Sequence, residues 1–437
     1  VLEQRDVHDS GNITIPYIRL LSESDKAGAP MIYLEGGPGG SGIEALEDGD
    51  FTEPFRHILA NRDIVLVDQR GTGDAEPELE CWRNYTFPLV PSPTPAERLE
   101  TIKRMASDCA EQMRLQGIDL AGYNTNESAD DIADLAKHLG AEKVVLFGGS
   151  YGSHLALAVL RRHEALVERG LLALVEGPDD TFKRPHQLDD MLVSLDDMSS
   201  EPDSAWPFDE PPSSAVKEIL QQFEEPELAI STDVFGRETK VEIARHDLEL
   251  ILFNEMGDDN FWRNLPGTIK KLRDGDLSDV ADEVIDEREY WISHPMFWAT
   301  DCASGASTER LDQIEEQLVS SIASIPLDFP FPYICEAWNV GVLPSSFRAP
   351  IRSDVPVLLI SGELDPRTPL ANAENVAKHL PNAVHLRIGG VAHDWTDAYE
   401  HSDGLRTSIR KFLAGESVAS DRYTVPFQFE EIGQDVD

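Results

Sequence analysis

Apolar positions recur with two different periods along this 437-residue chain, and the alternation between them outlines its architecture. Short runs of consecutive or alternating aliphatic and β-branched residues read as strands at 12–20, 29–34, 63–67, 143–147, 170–175, 355–360 and 384–388. Pro16 suits the first of these to a sheet edge, where a missing N–H interrupts no ladder. Apolar residues three and four apart predict helices at 51–60, 128–139, 153–162, 371–380 and 405–413. Asn126 or Ser128 is the expected N-cap of the second helix. Residues 74–124 read as a long polar excursion, and the tail after 413 as acidic and weakly patterned.

Strands that alternate with helices predict an α/β fold with a mostly parallel sheet covered on both faces. From 177 to about 350 the strand rhythm stops. That block reads as helical and polar, with helices at 241–253 and 261–272 and a loop rich in Pro, Ser and Asp at 204–214. The expected organisation is a core in two parts, 1–176 and 351–437, with a helical cap at 177–350 between them.

Function in such sheets gathers at the carboxyl ends of the strands, and four motifs fall there. Gly148-Gly149-Ser150-Tyr151-Gly152 fits G-x-S-x-G between a strand and a helix. Small residues on either side let the two backbones approach while the serine is held in a strained turn. A serine hydroxyl needs a base to act as a nucleophile, and the base needs an orienting carboxylate. Asp365 and then His393 follow Ser150 in that order, each just past a predicted strand. Glu363 is a rival carboxylate. The loop from Glu35 to Gly42 carries five glycines. It lacks the Gly-Lys-Ser/Thr ending and the G-x-G-x-x-G spacing of a phosphate cradle. It can instead supply one oxyanion-hole N–H, from Gly37 rather than Gly36, with Tyr151 supplying the other from its backbone. Arg70, in Asp68-Gln69-Arg70-Gly71-Thr72-Gly73, reads as an ion-pair partner that braces the glycine loop.

With Gly36-Gly37-Pro38-Gly39 and the Gly362 to Pro369 stretch, this set resembles the proline iminopeptidase and tripeptidyl aminopeptidase group of α/β-hydrolases. The resemblance covers roughly 12–176 and 350–415. It implies an α/β-hydrolase fold and a serine acyl-enzyme mechanism without cofactor or metal. The implied substrate is the N-terminus of a short peptide, with a small ester as the alternative and a non-catalytic binding protein as a third reading. It also implies an acidic pocket for the substrate ammonium, for which Glu176, Glu255 and Glu35 are the candidates. Two positions depart from the group's pattern: Glu35 stands where many members have histidine, and His393 lies in Ala-His-Asp rather than Gly-His-Gly.

Charge narrows the partners. Lys+Arg 37 against Asp+Glu 81 gives a net charge of −44, which excludes nucleic acid, since phosphate contacts need basic patches. Acidity spread along the whole chain fits either a saline setting or simply a very acidic secreted protein. No apolar run approaches the ~20 residues that span a bilayer. Four cysteines fall as two couples, Cys81 with Cys109 and Cys302 with Cys335. Paired, each couple would be worth roughly 3–4 kcal/mol of loop closure and would point to an oxidising compartment. Four reduced core cysteines are the alternative. The resemblance favours an exported protein, secreted or periplasmic, with its leader absent from this sequence; reduced cysteines would fit the cytoplasm.

Overall fold

Alternation along the central strands sorts the core onto two sides of one sheet. The computed structural model describes residues 1–47, 52–81, 85–232, 235–290 and 294–432. Strands β1 (Tyr17–Leu20), β2 (Met31–Leu34), β3 (Ile64–Val67), β4 (Val144–Ser150) and β5 (Val167–Val175) precede the inserted block. Within the insertion, β6 (Glu227–Thr232) and β7 (Glu238–Ile243) form a separate hairpin. Strands β8 (Val357–Gly362), β9 (Ala383–Gly389) and β10 (Asp421–Thr424) follow it. The eight-stranded sheet has the order β1-β3-β2-β4-β5-β8-β9-β10. Its pairs are parallel except β1 with β3, which makes β1 the antiparallel edge that Pro16 leads into.

Ile32, Leu34, Val65, Val67, Val144 and Leu146 pack on one side of the sheet, with helices Thr125–His138, Tyr151–His163 and Leu370–Ala377. Met31, Tyr33, Ile64, Leu66, Val145 and Phe147 pack on the other, with helices Thr52–Leu59 and Asp403–Leu413. Each such side chain contributes about 1.5–3 kcal/mol when fully buried. Parallel strands buried on both faces read as continuous apolar runs, which is why this part of the architecture stands out in the chain.

Five sequence expectations are corrected. The excursion at 74–124 contains a long helix, Pro95–Leu115. Its start is a capping box: Thr94 Oγ1 accepts the Glu97 N–H at 3.3 Å, and Glu97 Oε2 accepts the Thr94 N–H at 2.9 Å. That Thr-Pro-Ala-Glu signal is present in the sequence but is masked by the polar composition around it. The following helix is capped by Asn124, whose Oδ1 accepts from Asn126 and Glu127, rather than by Asn126 or Ser128. The expected helix at 241–253 begins only at Arg245, because Val241 and Ile243 alternate into β7. The helix expected at 261–272 is two, Asp259–Arg263 and Leu265–Arg273, with Asn264 between them and Pro266 in the first turn of the second. The tail is also structured. It supplies β10 and sends Phe429 into the insertion's apolar cluster.

Both cysteine couples are disulfides, Cys81–Cys109 and Cys302–Cys335. Cys109 and Cys302 lie in one buried cluster with Trp298, Ile334 and Trp338. The first excursion and the later half of the insertion therefore share a core. Among the described residues no helix is long and apolar enough to cross a membrane.

Candidate active site

β4 ends at Ser150, and the chain turns without a spacer into helix Tyr151–His163. The turn forces Ser150 to φ +52° and ψ −126°, a region that residues with side chains avoid. Crowding explains the glycines around it. A Cβ on Gly148 would stand 2.3 Å from the Gly152 carbonyl oxygen, and one on Gly152 would stand 2.0 Å from that of Leu34. Ser153 fastens the turn: its Oγ donates to the Ser150 carbonyl at 2.6 Å and accepts the Glu176 N–H at 2.9 Å.

β8 and β9 are parallel neighbours, so the loops that leave their carboxyl ends lie side by side. This brings His393 Nδ1 to 2.8 Å from Asp365 Oδ2. Asp365 Oδ1 accepts the N–H groups of Arg367 and Thr368 at 2.8 and 3.0 Å, and Thr368 Oγ1 donates to Oδ2 at 2.5 Å. Burial opposes the charged form of Asp365. The charge and hydrogen bond of His393, with the Thr368 donors, outweigh it and hold this carboxyl below the ordinary range. Glu363, the rival, is committed elsewhere. It takes a two-pronged ion pair from Arg422 of β10, at 2.8 and 2.7 Å. Ser150 and His393 line one cleft of about 320 Å³, together with Tyr33, Glu35, Gly37 and Trp395.

The glycine loop is held by polar contacts at both ends. Glu35 Oε1 accepts the Gly36 N–H at 2.6 Å, and Oε2 accepts the Tyr33 hydroxyl at 2.7 Å. Gln69 Nε2 donates to the Glu35 carbonyl at 2.9 Å, and Asp68 Oδ1 accepts from Ser41 Oγ at 2.6 Å. The Gly36 amide is thus engaged. Among the described residues no side-chain or backbone acceptor meets the Gly37 or Tyr151 amides, which remain able to donate to a ligand oxygen. Arg70 does not brace this loop. It is fully buried in a bidentate pair with Asp131, 2.8 Å on each arm, and also donates to the carbonyls of Glu3 and Gly122. The Tyr151 ring is buried away from the cleft, with its hydroxyl 3.2 Å from Thr125 Oγ1.

The three candidate acids have different surroundings. Glu176 follows Val175, which is in register with Ser150, and its side chain is buried. It lies 3.4 Å from Lys183 Nζ and 3.5 Å from His154 Nδ1. Asp328 also reaches Lys183, at 3.9 Å, and Asp301 shares the field of both. Glu35 lines the cleft. Glu255 is half-buried at the end of helix Arg245–Glu255. Sequence reading missed Lys183, Asp301, Asp328 and Arg367, which lines the cleft as well. Nothing local distinguishes these two aspartates among 81 acidic residues.

Burial, reinforced by Glu176, pushes the Asp301 carboxyl well up, and burial also raises Asp328 and Glu249. A carboxyl raised in the folded state keeps a proton that the unfolded chain has already released. Its contribution is full below the unfolded carboxylate range and is lost as pH rises through the folded value. Burial also pushes the His246, His294 and His385 imidazoles down, which acts in the opposite direction over the same range, so the test is a difference between proteins. The change in melting temperature on going from pH 8 to pH 5 should be less favourable in Asp301→Asn than in wild type, and an identical change in both would contradict a raised Asp301 carboxyl. Among the described residues no group of three or more His, Cys, Asp or Glu side chains is arranged to hold a metal ion.

A mostly parallel sheet with a strand–serine–helix turn and an Asp–His pair beyond the next strands defines an α/β-hydrolase class protein. Two family models match accordingly: the alpha/beta hydrolase fold over residues 29–197 and TAP-like protein over residues 331–423. A proline iminopeptidase of Arabidopsis thaliana is 29% identical over 182 residues, 40% of this chain and 36% of the relative. One from Xanthomonas citri is 30% identical over 151 residues, 34% of each chain. The chain therefore spans about a third of the length of these curated relatives. Among solved structures it is similar to an alpha/beta hydrolase from a Medee basin deep-sea metagenome, at 12% identity and a TM-score of 0.40, covering 93% of this chain and 96% of that one. A thermophilic esterase from Thermogutta terrifontis gives 14% and 0.39, covering 95% and 97%. The chain has the α/β-hydrolase fold and is similar, over parts of its length, to the group that includes the proline iminopeptidases and TAP-like proteins.

Proposed function

We propose that the chain is a serine hydrolase that releases N-terminal residues from short peptides through an acyl-enzyme. The observation that carries the mechanism is the Asp365–His393 pair opening onto the same cleft as the strained Ser150. With Nδ1 held by Asp365, His393 Nε2 takes the Ser150 proton as Oγ attacks the scissile carbonyl. The Gly37 and Tyr151 amides donate to the oxyanion, each worth about 3–4 kcal/mol in comparable sites. The tetrahedral intermediate collapses as His393 returns the proton to the leaving amine. Water then repeats the sequence on the acyl-enzyme and frees Ser150.

The peptide reading draws support from the similarity to proline iminopeptidases and from a surplus of buried acid. Glu176, Asp301 and Asp328 lie around Lys183, with His154 Nδ1 3.5 Å from Glu176, and a substrate ammonium brought to this cluster would favour ionisation of the carboxyls that burial keeps protonated. Glu35 and Glu255 are the further candidates for that ammonium. The insertion acts as a cap over the cleft in this reading, and the two disulfides support an oxidising compartment. The test is a panel of prolyl, alanyl and tripeptidyl anilides, their N-blocked forms and short-chain esters. Loss of cleavage on N-blocking is the expected result; cleavage of esters alone would sink the peptidase reading. Glu176→Gln should raise KM for free-amine substrates roughly ten-fold, the order of one hydrogen bond to a charged group, and leave short-chain esters unaffected.

A further inference from the structure

The loop carrying His393 takes its hydrogen-bond acceptors from the insertion. The His393 N–H donates to the Gly257 carbonyl at 3.0 Å. The Ala392 N–H donates to Asp259 Oδ1 at 2.6 Å. The neighbouring Asp365 loop is held from the same place, because Arg367 donates through Nη2 to the carbonyls of Phe253 and Asn254. Packing agrees with the hydrogen bonds. Leu364 and Ala392, next in sequence to Asp365 and His393, are 1% and 0% exposed within the insertion's own cluster, beside Leu252, Phe253, Met256 and Trp262. The approach is close: a Cβ on Gly257 would come to 2.9 Å from His393 Cβ and 2.7 Å from Arg367 Nε. The acid and base loops are thus seated on the insertion as well as on their own strands.

We propose that Asp259 is a positioning residue, whose carboxylate holds the Ala392 N–H and so fixes the His393 imidazole relative to Ser150. This rests on the reading of Ser150 and His393 as nucleophile and base. The charged groups around Asp259 are Asp258 and Arg263 of its own segment and Asp394 of the His393 loop. Burial pushes Asp259 up to about 7, reinforced by Asp394 and Asp258 and opposed by the Ala392 amide and Arg263. The ionised carboxylate is the stronger acceptor, so the grip loosens as pH falls through that value. Asparagine keeps an oxygen at the same place without a proton to gain.

The experiment compares Asp259→Ala and Asp259→Asn in the full chain on an activated ester. Asp259→Ala is expected to lower kcat about ten- to hundred-fold, the order of a 1 Å misplacement, with KM within about threefold of wild type. Asp259→Asn should recover most of that kcat and make the acid limb of the kcat–pH profile shallower. The downfield Nδ1–H proton resonance of the His393–Asp365 pair gives a readout independent of chemistry. It should weaken or shift in Asp259→Ala and return in Asp259→Asn. Wild-type kcat and an unmoved resonance in Asp259→Ala would overturn the proposal. So would equal losses of kcat and melting temperature in both variants, which mark a merely structural contact. If Ser150→Ala leaves ester cleavage intact, the functional reading falls, and the resonance still decides the role of Asp259.

Discussion

Replacing Ser150 with alanine is expected to lower kcat on an activated ester by roughly 10⁴- to 10⁶-fold while leaving the fold in place. The substitution removes one oxygen and nothing that packs. Ser150 keeps its Cβ, and the hydrogen bonds that fasten the turn run through its backbone carbonyl and Ser153. The strain at φ +52° is the same for alanine as for serine, so the melting temperature should barely move. Residual turnover would come from the Gly37 and Tyr151 amides, which can still polarise a carbonyl attacked directly by water. A fluorophosphonate probe should label the wild-type protein and not the variant. Undiminished ester cleavage by the variant would mean that another group is the nucleophile.

The largest expected effect on stability is at Arg70. Arg70→Ala should cost about 3–5 kcal/mol, read as a lower midpoint in urea unfolding with an unchanged slope. Its guanidinium is fully buried and joins three parts of the chain: Asp131 on helix Thr125–His138, the carbonyl of Glu3 in the N-terminal segment, and that of Gly122. Truncation strands all of these partners out of water. Arg5 also reaches Asp131, at 2.7 Å, and would keep that carboxylate partly neutralised, which sets the upper end of the range. Because Arg70 lies outside the cleft, the variant should retain kcat under conditions where it remains folded. A variant as stable as wild type would show the pair to be dispensable.

The parts of the structure legible in the chain are those whose cause is local. A strand buried on both faces must be apolar throughout, and a sharp strand-to-helix turn must exclude side chains, so Ile64–Val67 and the glycines around Ser150 announce themselves. Legibility fails where two elements share a cost. Val241 and Ile243 alternate for two residues before a helical pattern begins, and the window that joins them reads as one helix. Asp421–Thr424 is short and mostly exposed, and it is a strand because β9 offers an open edge rather than because of its own pattern. The capping box at Thr94 is a fair signal overlooked, since Pro95 and Glu97 mark a helix start even in polar company.

By itself the sequence determined the alternation of strands and helices, the tight turn at Ser150, and the order of serine, carboxylate and histidine at successive strand ends. All follow from short-range sterics and periodicity, which neighbouring residues carry among themselves. Only the tertiary structure decided which of two nearby carboxylates meets His393. Glu363 is drawn to Arg422 across β10, while Asp365 is left to the imidazole. It likewise decided that Gly36 is tied to Glu35 while Gly37 is not, that Glu176 shares a buried lysine with two distant aspartates, and that the insertion holds the loops of the candidate site. These outcomes depend on burial and on charges brought together from remote parts of the chain, and in a sequence this acidic no local pattern encodes them.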